Sequence, residues 1–212
     1  MSARRARCPN PRDRLVTYRA VTTIARMTEA VIVATARSPI GRAMKGSLVD
    51  MRPDDMSAQI VRALMAKVPE VSPDDVEDLI MGCGQPAGEA GFNVGRAVAV
   101  LAGLDNVPGV VVNRYCSSSL QTIRMAAHAI KAGEGDCFIS AGVETVSRYS
   151  AGASDTAPNP IFADAGMRTA ERAEGGAPTW TPPEGLPDFY IAMGQTAENV
   201  REVEGVTRQE MD

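Results

Sequence analysis

Strand-like and helix-like segments alternate four times between residues 31 and 145, and this alternation limits the possible folds more than any other feature of the sequence. Short apolar runs predict four strands, at 31–35, 79–83, 110–112 and 136–140. A helical segment separates each strand from the next. This order predicts an α/β fold with a mostly parallel sheet that carries helices on both faces. In such sheets, binding and catalysis take place beyond the carboxyl ends of the strands.

The helical segments begin with ordinary start signals. Pro53 followed by two acidic residues opens the first helix, and Ser72 caps a short turn before the second strand. A second helix is predicted over 93–104. The apolar residues expected to share one face are Met56, Ile60, Ala63, Leu64 and Val68 in the first helix, and those expected to face the core are Val94, Ala97, Val98 and Leu101 in the second.

The segment between Gly84 and Gly91 is rich in glycine, which is typical of either a phosphate-binding loop or a series of turns. It lacks the glycine spacing of a dinucleotide-binding fingerprint and the lysine of a P-loop. We therefore favour turns.

Cys116 stands where the strand at 110–112 gives way to a helix. From about Ser117 the apolar residues take helical spacing, at Leu120, Ile123, Ala127 and Ile130. Unpaired N–H groups and the positive end of the helix dipole surround a sulfur at such a junction, and they favour the nucleophilic thiolate over the thiol. The alternative is a free cysteine that packs as a small buried hydrophobe. The residues alone leave both interpretations open.

A partner for this sulfur is not visible in the sequence. His128, the single histidine, follows Cys116 on the same predicted helix and lies roughly 18 Å along its axis. It is therefore interpreted as a residue beside the core stripe that hydrogen-bonds locally. No second histidine or cysteine stands at ligand spacing, so we expect no metal site. The four cysteines form no CxxC pair, which is typical of a reducing compartment.

Charge is distributed unevenly along the chain. Residues 1–26 hold seven arginines and one acidic residue, so they carry +6 against a net charge of −4 for the whole chain, and the remainder carries −10. This acidic body argues against a nucleic-acid partner. The arginine-rich start fits a transit-like or polyanion-binding arm, or a disordered extension over 1–27. We favour an added or mis-assigned terminus, since Met27 opens a natural-looking start. No apolar run approaches the roughly 20 residues of a membrane span.

The chain changes character after Tyr149. Residues 150–190 are rich in Gly, Pro, Ala and Ser and show almost no periodicity, so we expect part of a lid or substrate-binding subdomain, or a poorly ordered segment. Helical character returns at 191–203. Thr207 and Glu210 then have the spacing of a capping box. Because this box opens a helix close to Asp212, we expect the natural fold to continue.

Several stretches resemble the amino-terminal half of thiolases, which are acetyl-CoA acyltransferases and 3-ketoacyl-CoA thiolases. They are Val31-Ile-Val-Ala-Thr-Ala-Arg-Ser-Pro-Ile-Gly-Arg42, Asn113-Arg-Tyr-Cys-Ser-Ser-Ser-Leu-Gln121, Ala141-Gly-Val-Glu-Thr-Val-Ser147, Met193-Gly-Gln-Thr-Ala-Glu-Asn-Val200 and Gly205-Val-Thr-Arg-Gln-Glu210. The resemblance covers about residues 28–212. The cysteine motif is shared with ketoacyl synthases of the same superfamily, and the stretch from Met193 to Val200 favours thiolases.

The resemblance implies a thiolase-like layered βαβαβ domain over 28–149 and part of a loop subdomain over 150–212. It implies that Cys116 is acylated by a 3-ketoacyl-CoA substrate, with coenzyme A as co-substrate and no covalently bound cofactor. Met193 would line the acyl pocket, and Glu144 and Asn199 would hold turns through hydrogen bonds. Ala192 stands where some thiolases carry a histidine. The full-length family further implies a cytoplasmic homo-oligomer, either a dimer or a tetramer.

This sequence departs from the family pattern in one important way. The base histidine, the second cysteine and an asparagine motif of thiolases lie in the carboxyl-terminal half, and none has a counterpart here. We therefore expect the isolated chain to be inactive. One alternative is a non-catalytic interaction module that pairs with full-length thiolase subunits. Another is a poorly folding fragment whose uncovered apolar face promotes aggregation.

Overall fold

The computed structural model describes residues 29–151, 154–155, 157–174 and 180–212. The strands are β1 (Asp78–Gly82), β2 (Gly109–Val112) and β3 (Phe138–Gly142). The helices are α1 (Pro53–Met65), α2 (Val94–Leu101), α3 (Ser118–Ala132), α4 (Ala163–Ala173), α5 (Met193–Glu204) and α6 (Arg208–Met211). The disordered extension predicted over 1–27 lies outside the described residues.

The three strands form a parallel sheet in the order β2-β1-β3. Leu79 pairs with Gly109 on one side and with Ile139 on the other, so β1 is the central strand. The predicted α/β class and the parallel pairing are confirmed. The three strand predictions after residue 78 agree with the observed bounds to within two residues.

Helices cover both faces of this sheet. Leu79 and Met81 point to one face, where they join a buried cluster with Val61 of α1 and with Val98 of α2. Side chains alternate along a strand, so Gly82 points to the opposite face. There it meets the first turn of α3, since an added Cβ would lie 2.6 Å from the Ser119 nitrogen. The result is a three-layer α/β/α arrangement that presents the start of α3 at the carboxyl end of β1.

The strand predicted at 31–35 is wrong. Val31, Ile32 and Val33 are 72%, 70% and 72% exposed and belong to no strand. A strand is stabilised by backbone hydrogen bonds to a neighbour, and β1, β2 and β3 pair only with one another among the described residues. The contact given for Thr35 is its carbonyl, which accepts a hydrogen bond from the Lys67 ammonium at 2.7 Å. This segment has the apolar pattern of a strand, but no neighbouring strand pairs with it in the described sheet.

The faces that the helices bury differ in part from those that the apolar residues indicate. In α2, Val94 and Val98 are buried as predicted, whereas Leu101 is 45% exposed. The buried positions of α3 are the small residues Ser118, Thr122 and Ala126. Its larger apolar residues lie outward, with Leu120 67% exposed and Ile123 42% exposed. Small residues let α3 approach β1 closely, and this leaves an apolar stripe on the molecular surface.

In the first helix, the buried face differs from the predicted apolar face by about one residue position. Ser57, Ala58 and Val61 are its buried residues, next to Pro53 at its start. Of the predicted face, Met56 and Leu64 pack against the core while remaining partly exposed, and Ala63 is exposed. The helix therefore lies with one edge of its apolar face in the core. Ser72 forms the predicted cap, with a complete capping box to Asp75.

The region after Tyr149 is more regular than the sequence indicates, because α4 lies within it. Polar contacts hold this helix: Arg168 pairs with Asp188, and Arg172 pairs with Glu202 of α5 at 2.8 Å. The Trp180 indole N–H also donates to Asp188, at 2.8 Å. The expectation of a poorly ordered segment is thus wrong for α4.

The two remaining features near the chain end agree with expectation. The predicted helix at 191–203 is α5, and Thr207 forms the predicted capping box with Glu210 before α6. Along the described ranges, the structure contains no helix with the length and apolar character needed to cross a membrane.

Candidate active site

Cys116 lies in a short 3₁₀ turn, Tyr115–Ser117, between the end of β2 and the first residue of α3. Its side chain is exposed. The prediction that this cysteine occupies a strand-to-helix junction is confirmed, and the alternative of a buried, packed cysteine is wrong. Exposure at the amino end of a helix leaves the sulfur accessible to a substrate and close to the positive end of the helix dipole.

The backbone before Cys116 has an unusual conformation. Tyr115 has φ of 46°, in the left-handed region, which costs a non-glycine residue about 1–3 kcal/mol unless its surroundings enforce it. Its N–H donates to the Asn113 side-chain oxygen at 2.8 Å. The Ser118 hydroxyl donates to the Tyr115 carbonyl at 2.6 Å and accepts from the Arg114 N–H at 2.9 Å. These bonds fix the turn that carries the sulfur.

A cleft of about 520 Å³ opens beside Cys116. Its lining comes from the carboxyl ends of all three strands and from the start of α3, as expected for a parallel sheet. The polar and reactive side chains on its wall are Gln85, Tyr115, Cys116, Ser118, Ser119, Glu144 and Tyr149. The nucleophile candidate therefore faces a space large enough for part of a small-molecule ligand.

The glycine-rich segment forms turns, in agreement with the favoured interpretation. Its first amides are already occupied, because the Glu144 carboxylate accepts from the N–H of Gly84 at 2.8 Å and of Gln85 at 3.2 Å. Further along, Glu89 forms ion pairs with Arg148 and, at 3.1 Å, with Arg52. A protein carboxylate stands where a phosphate cradle would need free N–H groups.

Two ionisable groups beside the cleft are held in their neutral forms. Burial raises the pKa of the Tyr149 hydroxyl to about 12, and the Glu144 carboxylate adds to the shift. Burial also raises the pKa of the Cys83 thiol to about 11, again with a contribution from Glu144. Near neutral pH, Tyr149 is therefore a hydrogen-bond donor and Cys83 is an unreactive thiol.

These differences predict the order in which the three cysteines of the described residues react. With iodoacetamide near pH 8, we expect the exposed Cys116 to be alkylated first. Cys137 should follow slowly, since burial raises the pKa of its thiol. Cys83 should remain unmodified until the pH approaches its pKa of about 11, because only the thiolate attacks. Peptide mass spectrometry at several times measures this order, and early modification of Cys83 would contradict it.

Two further residues considered from the sequence, His128 and Met193, are not among the described residues that line the cleft. His128 is exposed in the second half of α3, in agreement with its exclusion as a base. Met193 is the first residue of α5 and is 69% exposed. It is not among the described residues that line the cleft, so its role in substrate binding stays a prediction. In the ranges that the structure describes, no group of three or more His, Cys, Asp or Glu side chains is arranged to hold a metal ion.

The predicted turn-holding residues do form hydrogen bonds. Glu144 holds the segment after β1, and Asn199 is buried and accepts from Gln195 at 3.0 Å and from Arg172. Sequence reasoning missed Gln85 and Tyr149, because nothing local distinguishes them. Only the folded sheet places residues some sixty positions apart around one cleft.

Comparisons with known proteins show which family has this arrangement. The family model described as "Thiolase, N-terminal domain" matches residues 30–212. A 3-ketoacyl-CoA thiolase of Bacillus subtilis is 40% identical over 187 residues, which cover 88% of this chain and 42% of the relative. A beta-ketoadipyl-CoA thiolase of Acinetobacter baylyi is 41% identical over 190 residues, covering 88% and 45%. A 3-ketoacyl-CoA thiolase of Shewanella frigidimarina is 44% identical over 119 residues, covering 56% and 31%.

The chain thus spans less than half the length of these relatives. The matched range includes all of the described strands and helices and the turn that carries Cys116. The resemblance noted from individual motifs therefore extends over all of these described elements. On this basis, the chain belongs to the thiolase family and corresponds to its amino-terminal domain.

Proposed function

We propose that this chain provides the acyl-accepting half of a thiolase-type acyltransferase, with Cys116 as the nucleophile. The observation that carries the proposal is the exposed Cys116 in a fixed turn at the start of α3, facing a cleft. The substrate would be a 3-ketoacyl-CoA, and coenzyme A would be the second acceptor. The relatives named as 3-ketoacyl-CoA and beta-ketoadipyl-CoA thiolases support this substrate class.

The proposed reaction has two acyl transfers. The Cys116 thiolate attacks the 3-keto carbon, and the bond between carbons 2 and 3 breaks. Its electron pair stays on carbon 2, which takes up a proton to give acetyl-CoA, while the shortened acyl group stays on sulfur as a thioester. A coenzyme A thiolate then attacks this thioester, and the products are a shortened acyl-CoA and the free Cys116 thiolate.

Both transfers need a base and an acid close to the sulfur. His128 lies too far along α3, and burial keeps Cys83 and Tyr149 protonated. We infer that turnover requires groups supplied by a thiolase carboxyl-terminal half. We also propose that residues 150–212 contribute to a substrate-binding subdomain with Met193 at the acyl pocket. The Tyr115 hydroxyl donates to Asp155 at 3.3 Å beside the cleft, and this contact supports the contribution of the segment that contains Asp155.

We expect the 212-residue chain to cleave acetoacetyl-CoA only when it is coexpressed with a thiolase carboxyl-terminal half. Cleavage should depend on added coenzyme A and should be lost in the Cys116→Ser variant, because serine is a far weaker nucleophile at neutral pH. Release of acetyl-CoA measures turnover. The matched control is Cys137→Ser, at a partly buried thiol outside the cleft, which should retain activity.

Two results would contradict this proposal. One is turnover that survives in the Cys116→Ser assembly. The other is an assembly that forms, as judged by gel filtration, yet leaves Cys116 without an acyl group after incubation with acetoacetyl-CoA.

The exposed apolar stripe of α3 supports a second candidate, a non-catalytic module that joins full-length thiolase subunits. Leu120 and Ile123 lie on this stripe and are open to solvent, and exposed apolar patches often mark protein interfaces. This candidate predicts co-purification with an intact thiolase and indifference of that assembly to Cys116→Ser. Loss of activity on that substitution would exclude it. For the full-length assembly we propose a cytoplasmic homo-oligomer, a dimer or a tetramer, and the free thiols of Cys83, Cys116 and Cys137 support a reducing compartment.

A further inference from the structure

We propose that Glu144 is a positioning residue for the Cys116 nucleophile and that it acts through the backbone of Gly84. The inference rests on the proposed function, because the role concerns acyl transfer at Cys116. Its basis is a continuous set of hydrogen bonds that joins the carboxyl ends of the three strands: Gly84 follows β1, Asn113 follows β2 and Glu144 follows β3.

The first part of this set is a carboxylate that holds two consecutive amides. One oxygen of Glu144 accepts from the Gly84 N–H at 2.8 Å, and the other accepts from the Gln85 N–H at 3.2 Å. Hydrogen bonds to an ionised carboxylate are shorter and stronger than neutral ones. Because both oxygens are engaged, the directions of the two peptide groups that flank Gly84 are fixed.

The second part is the side-chain amide of Asn113. Its NH₂ group donates to the Gly84 carbonyl at 3.0 Å, and its oxygen accepts from the Tyr115 N–H at 2.8 Å. A single planar amide therefore sets the spacing between Gly84 and the residue that directly precedes Cys116. A displacement of Gly84 would be transmitted to the nucleophile turn.

Packing reinforces these bonds. A Cβ atom at Gly84 would lie 3.0 Å from a Glu144 carboxylate oxygen and 3.4 Å from the Tyr115 Cα. The Gly84 backbone is thus enclosed between the two residues. Tyr115 holds a left-handed φ of 46°, which persists only where the surroundings enforce it. Glu144 contributes to those surroundings by fixing the Gly84 backbone against which Tyr115 packs.

Conservative variants of Glu144 separate charge, length and acceptor number. Glutamine keeps the length but has one acceptor, and its NH₂ group would face an amide N–H. Aspartate keeps both acceptors and the charge but is one methylene shorter. Misplacement by about 1 Å can slow an aligned reaction by up to about a hundredfold. Alkylation by iodoacetamide has a weaker demand for alignment, since it needs only an accessible thiolate.

The experiment compares two reactions of Cys116 in the purified assembly of this chain with a thiolase carboxyl-terminal half. Acetyl-CoA tests acyl transfer, in which the acetyl group moves to the sulfur and free coenzyme A is released. Iodoacetamide tests simple thiolate reactivity. We expect Glu144→Gln to slow acetylation about tenfold or more, while alkylation stays close to wild type. Glu144→Asp should restore part of the acetylation rate. Peptide mass spectrometry follows both reactions.

Two controls sharpen this comparison. Glu134→Gln removes a charge at an exposed position beyond α3 and should leave both rates unchanged. Asn113→Asp keeps the acceptor for Tyr115 but loses the donor to Gly84. If Glu144 and Asn113 act through the same set of hydrogen bonds, the effects of Glu144→Gln and Asn113→Asp on the acetylation rate are not additive.

Three outcomes would overturn the inference in different ways. Wild-type acetylation in Glu144→Gln would show that Glu144 does not position the sulfur. A parallel loss of both rates, in step with the folded fraction in urea, would show a purely structural role. A wild-type assembly whose Cys116 is alkylated but never acetylated would remove the proposed function itself, and the inference with it.

Discussion

Replacement of Gly82 by alanine is expected to lower the free energy of unfolding by about 1–3 kcal/mol, and replacement by valine is expected to lower it further. An added Cβ would lie 2.6 Å from the Ser118 carbonyl carbon and 2.6 Å from the Ser119 nitrogen. These are backbone atoms at the start of α3, so no flexible side chain can move aside. Either β1 or the helix must shift, and both belong to the packed core of the sheet. Urea unfolding followed by circular dichroism measures the loss.

The matched control is Gly166→Ala. Gly166 lies within α4, and an added Cβ would meet no atom within 4 Å. Alanine in a helix interior is favoured over glycine by roughly 0.5–1 kcal/mol, so this variant should be neutral or more stable. Equal stability of Gly82→Ala and wild type would show that α3 does not approach β1 as closely as described. Because the displaced start of α3 directly follows the turn that carries Cys116, alkylation of Cys116 in Gly82→Ala should change as well.

Much of the sheet could be predicted from the sequence because the signals for it are local. Buried parallel strands appear as short apolar runs, and β1, β2 and β3 each correspond to one. The segment at 31–35 has the same signal but no pairing partner in the described sheet. An apolar run shows that a segment is able to form a strand. Whether the strand forms depends on a neighbouring strand to pair with, which the run itself does not specify.

The sequence did not predict α4, because contacts with residues outside the helix stabilise it. Its apolar residues are alanines apart from Met167, which is 57% exposed, and Ala165 is its buried apolar residue. Ion pairs of Arg168 with Asp188 and of Arg172 with Glu202 fix it instead. These partners lie 20 and 30 residues further along the chain. Periodicity within eleven residues could not indicate them.

The candidate site likewise has one part that local sequence signals predict and another that they do not. The position of Cys116 follows from a local change of period, from strand to helix, and the structure agrees with it. The residues around the sulfur depend on the order of the strands in the sheet. Glu144 meets Gly84 across 60 positions of sequence, because β1 and β3 are neighbours. The sequence therefore indicated the nucleophile and not the network that holds its turn.

Leu79 and Leu120 provide a direct test of the observed burial. Both belong to apolar patterns in the sequence, whereas the structure buries Leu79 and exposes Leu120. Leu79 is 0% exposed in the central strand, and Leu120 is 67% exposed on α3. We expect Leu79→Ala to cost about 2–5 kcal/mol, from lost burial and the cavity left behind. Leu120→Ala should stay within about 0.5 kcal/mol of wild type, since it removes no buried contact.

Urea unfolding at two protein concentrations distinguishes the possible causes of a different result. A large, concentration-dependent cost for Leu120→Ala would mean that the apolar stripe of α3 is covered by another copy of the chain in solution. A concentration-independent cost would instead mean that α3 turns its apolar stripe toward the sheet. Ser118 would then lose its place against β1, and with it the hydrogen bonds that fix the turn of Cys116.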